Sequence, residues 1–135
     1  MKSLAWLVLL AVVSGAQAGE EESTPCDNVE TDQQTYACAA FNKQTAEREL
    51  KSAYDDLMQR IRDQYADETD QATALVGRME AAEKVWTQLR DADCKVETYD
   101  IPAGKAFDAA QNTCMAQRND DRSEYLQSLG LQNSD

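Results

Sequence analysis

The chain has 135 residues, with 25 acidic and 13 basic side chains, no histidine and a formal net charge of −12. Such a chain repels nucleic acid and anionic lipid at long range and is steered toward basic partners, although acidity also serves plain solubility. Without histidine, Ser-His and Cys-His nucleophilic schemes are excluded.

Residues 1–18 read as a cleaved export signal. Lys2 supplies the positive start, Leu4 to Val13 the apolar run, and Ala16-Gln17-Ala18 the small-residue cleavage site. The run is too short to span a bilayer. Gly19 rather than Cys follows the cleavage site, so a lipid anchor is not expected either. Cleavage removes Lys2 and takes the charge to −13 (−12 less the +1 of Lys2). The product is expected to be soluble and exported, periplasmic or secreted. Residues 19–25 form an acidic tail without pattern, one small helical domain is expected over 26–130, and 131–135 form a C-terminal tail.

Asp27 to Cys38 is polar, with Val29 and Tyr36 as its large apolar residues, and reads as a short helix or turn leading into a long one. From Cys38 to Ala66 no Gly or Pro interrupts the chain. Leu50, Tyr54, Leu57, Met58, Ile61 and Tyr65 recur at steps of three and four, which marks one face of a helix. Asp67 to Asp70 break that stripe and offer N-caps for a second helix. This one carries Leu75, Met79, Ala82, Trp86 and Leu89 as its core-facing stripe and ends near Cys94 to Glu97, before Pro102 and Gly104. Gly77 within it marks either close approach to the first helix or a later helix start. The third helix runs from about Gly104 to Leu129. Its large apolar residues are sparse, so it reads as a thinly anchored helix tethered through Cys114. Strand-like alternation is absent. The fold class is all-α: an antiparallel hairpin with a third helix packed on it, stapled by disulfides.

Four cysteines in an exported chain imply two disulfides. An unbroken helix would hold Cys26 and Cys38 about 18 Å apart, so they pair only if the segment between them doubles back. Across the hairpin, Cys94 and Cys38 are offset by about 9 Å, beyond disulfide reach. Cys94 and Cys114 flank a turn, where a crossing angle or an unwound end closes a similar gap. Geometry favours Cys26–Cys38 with Cys94–Cys114, and leaves open a cross-pairing of Cys26 or Cys38 with Cys94. A zinc site is disfavoured, since no two cysteines have knuckle spacing.

The ordered set Cys26, Cys38, then Ala46, Leu50 and Tyr54, then Ala82 and Trp86, then Arg90-Asp91-Ala92 and Cys94, and finally Cys114, Arg122 and Leu126 resembles the LprI-type lysozyme inhibitor family. Glu47, Lys51 and Glu83 depart from the residues usual in that family. The resemblance implies a small exported helical domain that binds and inhibits lysozyme, a basic protein. These motif residues are expected to be structural: Trp86 in the core, Arg90 stacked on it or paired with a carboxylate, and Arg122 reaching a first-helix carboxylate such as Glu47.

Acidic pairs such as Asp55-Asp56, Asp63/Asp67 and Asp120-Asp121 sit on polar helix faces or turns. They lack the buried setting that tunes carboxylates for acid–base work, and Asp67, Glu68 and Asp70 do not have EF-hand spacing. No enzymatic activity, cofactor or metal is expected. The candidate contact with a basic lysozyme is the tip between the first two helices, Asp63, Asp67, Glu68 and Asp70, for which helix capping is the competing explanation. The competing function is that of an adaptor or structural domain in the cell envelope.

Overall fold

The computed structural model describes residues 22–130. The export signal at 1–18 and the tail at 131–135 lie outside them. Three helices follow in order: α1 (Asp32–Gln64), α2 (Thr69–Glu97) and α3 (Lys105–Ser128). No helix among the described residues is long and apolar enough to cross a membrane.

The first helix begins six residues before the stretch read as firmly helical. Its start is a capping box: Gln34 N donates to Thr31 Oγ1 at 3.2 Å and Thr31 N donates to Gln34 Oε1 at 2.9 Å. Two of the amides left over at a helix start are thereby satisfied. Ahead of it the chain doubles back through a turn in which Thr24 N donates to Asp27 Oδ2 at 2.7 Å, followed by Asn28 at φ 56°. Asparagine tolerates that left-handed conformation better than most residues. The reversal lays Cys26 against α1, where it bonds Cys38 across a Cα–Cα distance of 4.6 Å. Cys94 bonds Cys114 at 5.7 Å. The cross-pairings are therefore not formed.

The third helix is far from loosely held. It packs closely against α1, more extensively than either packs on α2. Ala39, Ala46 and Ala53 recur every seven residues on α1, and Ala109, Ala116 and Ser123 recur every seven on α3; all six are buried. Ala46 and Ala116 line one groove and Ala53 and Ser123 the next, so the two helices run parallel with facing residues 70 apart. Helix pairs lie about 8–10 Å apart according to the side chains at the contact, and small residues at each contact place this pair at the short end. Thin apolar anchoring is thus corrected to a seam of small residues.

Large apolar side chains concentrate at the turn end. Leu57, Ile61 and Leu126 are fully buried there, joined by Met58 and Met79 and flanked by Leu50, Tyr54, Leu75 and Leu129. Arg60 closes this end of α3: its guanidinium donates to the carbonyls of Leu126 at 3.1 Å and Leu129 at 3.2 Å. Those carbonyls have no intrahelical partner.

The stripe expected on α2 is corrected. Ala82 is exposed and Leu89 is 57 % exposed. Beyond Met79 the inward face consists of Glu83, Trp86, Arg90 and Cys94, which serve α3 rather than α1. Leu75, Met79 and Trp86 face inward as expected, while Glu83 and Arg90 take the inward positions that hydropathy assigned to Ala82 and Leu89. Gly77 is exposed with nothing within 4 Å of a Cβ placed on it, and α2 is already helical from Thr69; neither reason expected for it applies. At the other connection Gly104 has φ 147°, which disfavours any side chain, and it caps α3.

Candidate functional site

Two surfaces and one internal layer hold the residues singled out by sequence. At the tip, Asp63, Asp67, Glu68 and Asp70 are all exposed and brought together by the α1–α2 turn. Asp63 accepts from Gln59 Nε2 at 2.8 Å and Glu68 bonds Gln71. Glu68 is the N-cap of α2 yet makes no side-chain cap bond. Asp70 lies in the first turn of α2, where a negative charge complements the helix dipole. Asp63 sits in the last turn of α1, at the negative end of that dipole, where a carboxylate is unfavourable by about 0.3–1 kcal/mol, whereas Asp67 directly precedes the N-cap of α2. The start of α2 therefore accounts for Asp67 and Asp70, and not for Asp63.

The layer between α2 and α3 is built around Trp86. The guanidiniums of Arg90 and Arg122 lie 5.3 Å and 5.4 Å from its ring, and Arg122 also stands 4.8 Å over Tyr125. Arg122 Nε donates to Glu83 at 2.6 Å, with only 11 % and 21 % of the two side chains exposed. Arg90 pairs with Asp91 at 2.7 Å and donates to Asn119 Oδ1 at 3.0 Å. Arg118 extends the layer by pairing with Glu97 at 2.6 Å, the bond that chiefly holds its guanidinium above the ordinary arginine pKa. The expected partner of Arg122, Glu47, is corrected to Glu83: the inward turn of α2 interposes Glu83 between α3 and α1. Trp86, expected in the core, is half-buried between two cations.

The third feature is a groove along the α1–α3 seam, about 390 Å³ at one stretch and 380 Å³ at the next. Its floor is Ala46, Ala53, Ala116 and Ser123, and its walls carry Glu49, Asp56, Asp120 and Glu124, with no basic residue in either lining. On the opposite flank of α1, Glu47, Leu50, Lys51, Tyr54 and Glu83 border a cleft of about 330 Å³. Burial, followed by the charges of Glu80, Glu83 and Asp55, raises the Tyr54 phenol above its ordinary 10.0. The pairs Asp55-Asp56 and Asp120-Asp121 are solvent-exposed.

Compared with known proteins, residues 26–126 match the model of the family described as lysozyme inhibitor LprI. The chain belongs to the LprI lysozyme inhibitor family. Its fold is also similar to the crystal structure of a DUF1311 family protein from Pseudomonas putida KT2440. That chain is 65 % identical, with a TM-score of 0.68, and the match covers 78 % of this chain and all of that one. No functionally curated protein matches significantly.

The LprI motif residues hold the helices together. Ala46 belongs to the seam, Leu50 and Tyr54 border the core, Leu126 is fully buried within it, and Trp86, Arg90, Asp91 and Arg122 make the α2–α3 layer. Ala82 is the exception, exposed on the outer face of α2. One member of the layer, Asn119, was absent from the motif although it is fully buried. Its signal was spacing: Met115, Asn119, Arg122, Leu126 and Leu129 alternate steps of four and three, and Asn119 takes a core position in that series. The acidic groove had no such signal, because its carboxylates come from two helices 70 residues apart.

Proposed function

We propose that this LprI-family chain is an exported, non-enzymatic protein that binds and inhibits a basic lysozyme, with the tip carboxylates Asp63, Asp67, Glu68 and Asp70 entering the cationic cleft. The observation that carries the reading is the placement of Asp63 at the negative end of α1. A charge held where it opposes its own helix is not accounted for by folding, and it strengthens the field at a protruding point. The net charge of −12 supports fast, salt-sensitive association with a cationic partner.

Lysozyme-catalysed lysis of cell walls, measured with and without the disulfide-bonded protein, tests this. Inhibition is expected at micromolar protein and should weaken with added salt. Replacing the four tip carboxylates by Asn or Gln should abolish it. Neutralising Glu49 and Asp120 in the seam groove should leave it intact. Absence of inhibition across several lysozyme classes would transfer the reading to an envelope adaptor that binds another protein.

A further inference from the structure

The two disulfides lie in opposite surroundings. Cys94 and Cys114 are 0 % and 4 % exposed and tie α2 to α3 within the layer between them. Beside them, the carbonyl of Cys94 accepts from Thr98 Oγ1 at 2.8 Å and from Gln111 Nε2 at 2.9 Å, and Thr98 is itself buried. Cys26 and Cys38 are instead half-buried at the surface. The segment they fasten supplies no part of the core: no residue from 22 to 38 is buried, and Ala39 is the first that is. Among the described residues, the side-chain bonds of residues 22–31 stay within that segment or reach α1. Opening Cys26–Cys38 therefore breaks no core contact. Thiol–disulfide exchange requires an incoming thiolate to reach a sulfur, and only this pair offers one.

One side chain makes the two sulfurs of that pair unequal. Asn42, exposed and one turn beyond Cys38 on α1, donates from Nδ2 to Cys38 Sγ at 3.6 Å, while its Oδ1 lies 3.3 Å from Cys26 Sγ. A donor stabilises negative charge on Cys38, and a sulfur that bears charge more readily is the better leaving group. Cys26 sits in the exposed turn, whereas Cys38 has its own helix behind it, so the incoming thiolate meets Cys26. The thiolate of a dithiol bonds Cys26 Sγ, the Cys26–Cys38 bond breaks, and its electron pair goes to Cys38 Sγ beside the Asn42 amide. The second thiolate of the dithiol then attacks its own sulfur in the mixed disulfide and expels Cys26 as a thiolate. The dithiol ends as a disulfide. Its two protons, exchanged through water, end on the two cysteines, where the Cys26 thiol can donate to Asn42 Oδ1.

We infer that Cys26–Cys38 is a thiol–disulfide exchange site, opened by a dithiol at Cys26 with Asn42 stabilising the departing Cys38, while Cys94–Cys114 keeps the three helices folded. Opening it frees the segment before α1 and presents a new thiol at Cys26. Asp63 at the acidic tip lies about 38 Å further along α1, so the site stands apart from the lysozyme reading. The disulfide-bonded protein is held in native buffer with dithiothreitol, sampled over time, alkylated with iodoacetamide and digested for mass spectrometry. Cys26 and Cys38 should be alkylated at least about tenfold faster than Cys94 and Cys114. Equal rates, or earlier opening of Cys94–Cys114, overturn the inference. When only the first pair is labelled, the helical circular dichroism should match that of the oxidised protein, and its loss would show that the opening is not local. A single thiol, 2-mercaptoethanol, should be captured on Cys26; capture on Cys38 overturns the direction of attack. Asn42→Ala should slow opening of Cys26–Cys38 several-fold and leave the rate at Cys94–Cys114 unchanged. An unaltered rate at Cys26–Cys38 would remove Asn42 from the site.

Discussion

Enlarging the α1–α3 seam separates two accounts of the third helix by the sign of their effect. Ala46 is 2 % exposed and Ala116, which faces it, 6 %. Were α3 thinly anchored, Ala116→Leu would add apolar area at the interface and stabilise the fold by up to about 1.5–3 kcal/mol. The seam groove opens beside Ala116; across the contact towards Ala46, where the two residues are at most 6 % exposed, the added isobutyl carbons have no space. They wedge the helices apart, and the disturbance reaches neighbouring contacts and the Arg60 bonds beyond them. Overpacking of this kind costs about 1–3 kcal/mol, which lowers the melting temperature by about 4–8 °C per kcal/mol in a domain of this size. Urea unfolding of the disulfide-intact protein, followed by circular dichroism at 222 nm, measures the change. Ala92→Leu on the exposed face of α2 serves as the reference and should move stability by no more than about 0.5 kcal/mol. If Ala116→Leu unfolds at the same urea concentration as the wild type, or a higher one, the close-packed seam is wrong.

Three further outcomes follow from the polar contacts. Arg122→Ala strips Glu83 of its partner and uncovers Trp86, the one tryptophan among the described residues. The cost should be about 2–3 kcal/mol, below that of a fully buried pair, with a red-shifted tryptophan emission; unchanged emission would place Arg122 elsewhere. Arg60→Ala removes two charge-assisted bonds to the end of α3 and should cost about 1.5–3 kcal/mol. Its local sign is faster hydrogen exchange at Leu129 and its neighbours, and equal exchange would refute the cap. Tyr54 holds its proton more tightly in the folded chain than in the unfolded one. Its contribution is therefore complete below pH 10.0 and is lost as pH rises through the higher folded value. Tyr54→Phe should flatten that alkaline decline and change little at neutral pH; identical alkaline slopes would show that the phenol is not involved.

Helix number, approximate limits and the favoured disulfide pairing were legible from apolar spacing, Gly104 and Pro102 at a turn, and the reach of a sulfur–sulfur bond, with the cross-pairing to Cys94 excluded only by the structure. The capping box Thr31-x-x-Gln34 was equally local, and it marks the start of α1 that polar composition obscured. What resisted reading was the choice of face. On α2 the stripe holds for Leu75, Met79 and Trp86 but fails at Ala82 and Leu89, because Glu83 and Arg90 take the inward positions beside Trp86. Only the partners on α3 reveal that Glu83 and Arg90 are paired inside. The seam of alanines escaped for the opposite reason. Small residues register weakly in any count of apolar area, yet they permit the closest approach in the molecule. The acidic tip could be named from sequence, since its four residues are neighbours in the chain, but the opposing dipole beneath Asp63 appears only with the end of α1 in place.

The seven-residue spacing of that seam raises a problem of identity. A pattern that repeats is matched by itself after one repeat. Sliding α3 by seven residues, about 10.5 Å, would set Ala46 opposite Ser123 and Ala39 opposite Ala116, still small against small. The alanines cannot tell these alignments apart. Features that occur once must break the tie: Arg60 reaches the α3 carbonyls, Arg122 reaches Glu83, and Cys94 meets Cys114 in only one of them. Their modest strengths are thus a poor measure of their importance. Closeness comes from the small residues, and uniqueness from the few polar and covalent contacts that reject every shifted copy.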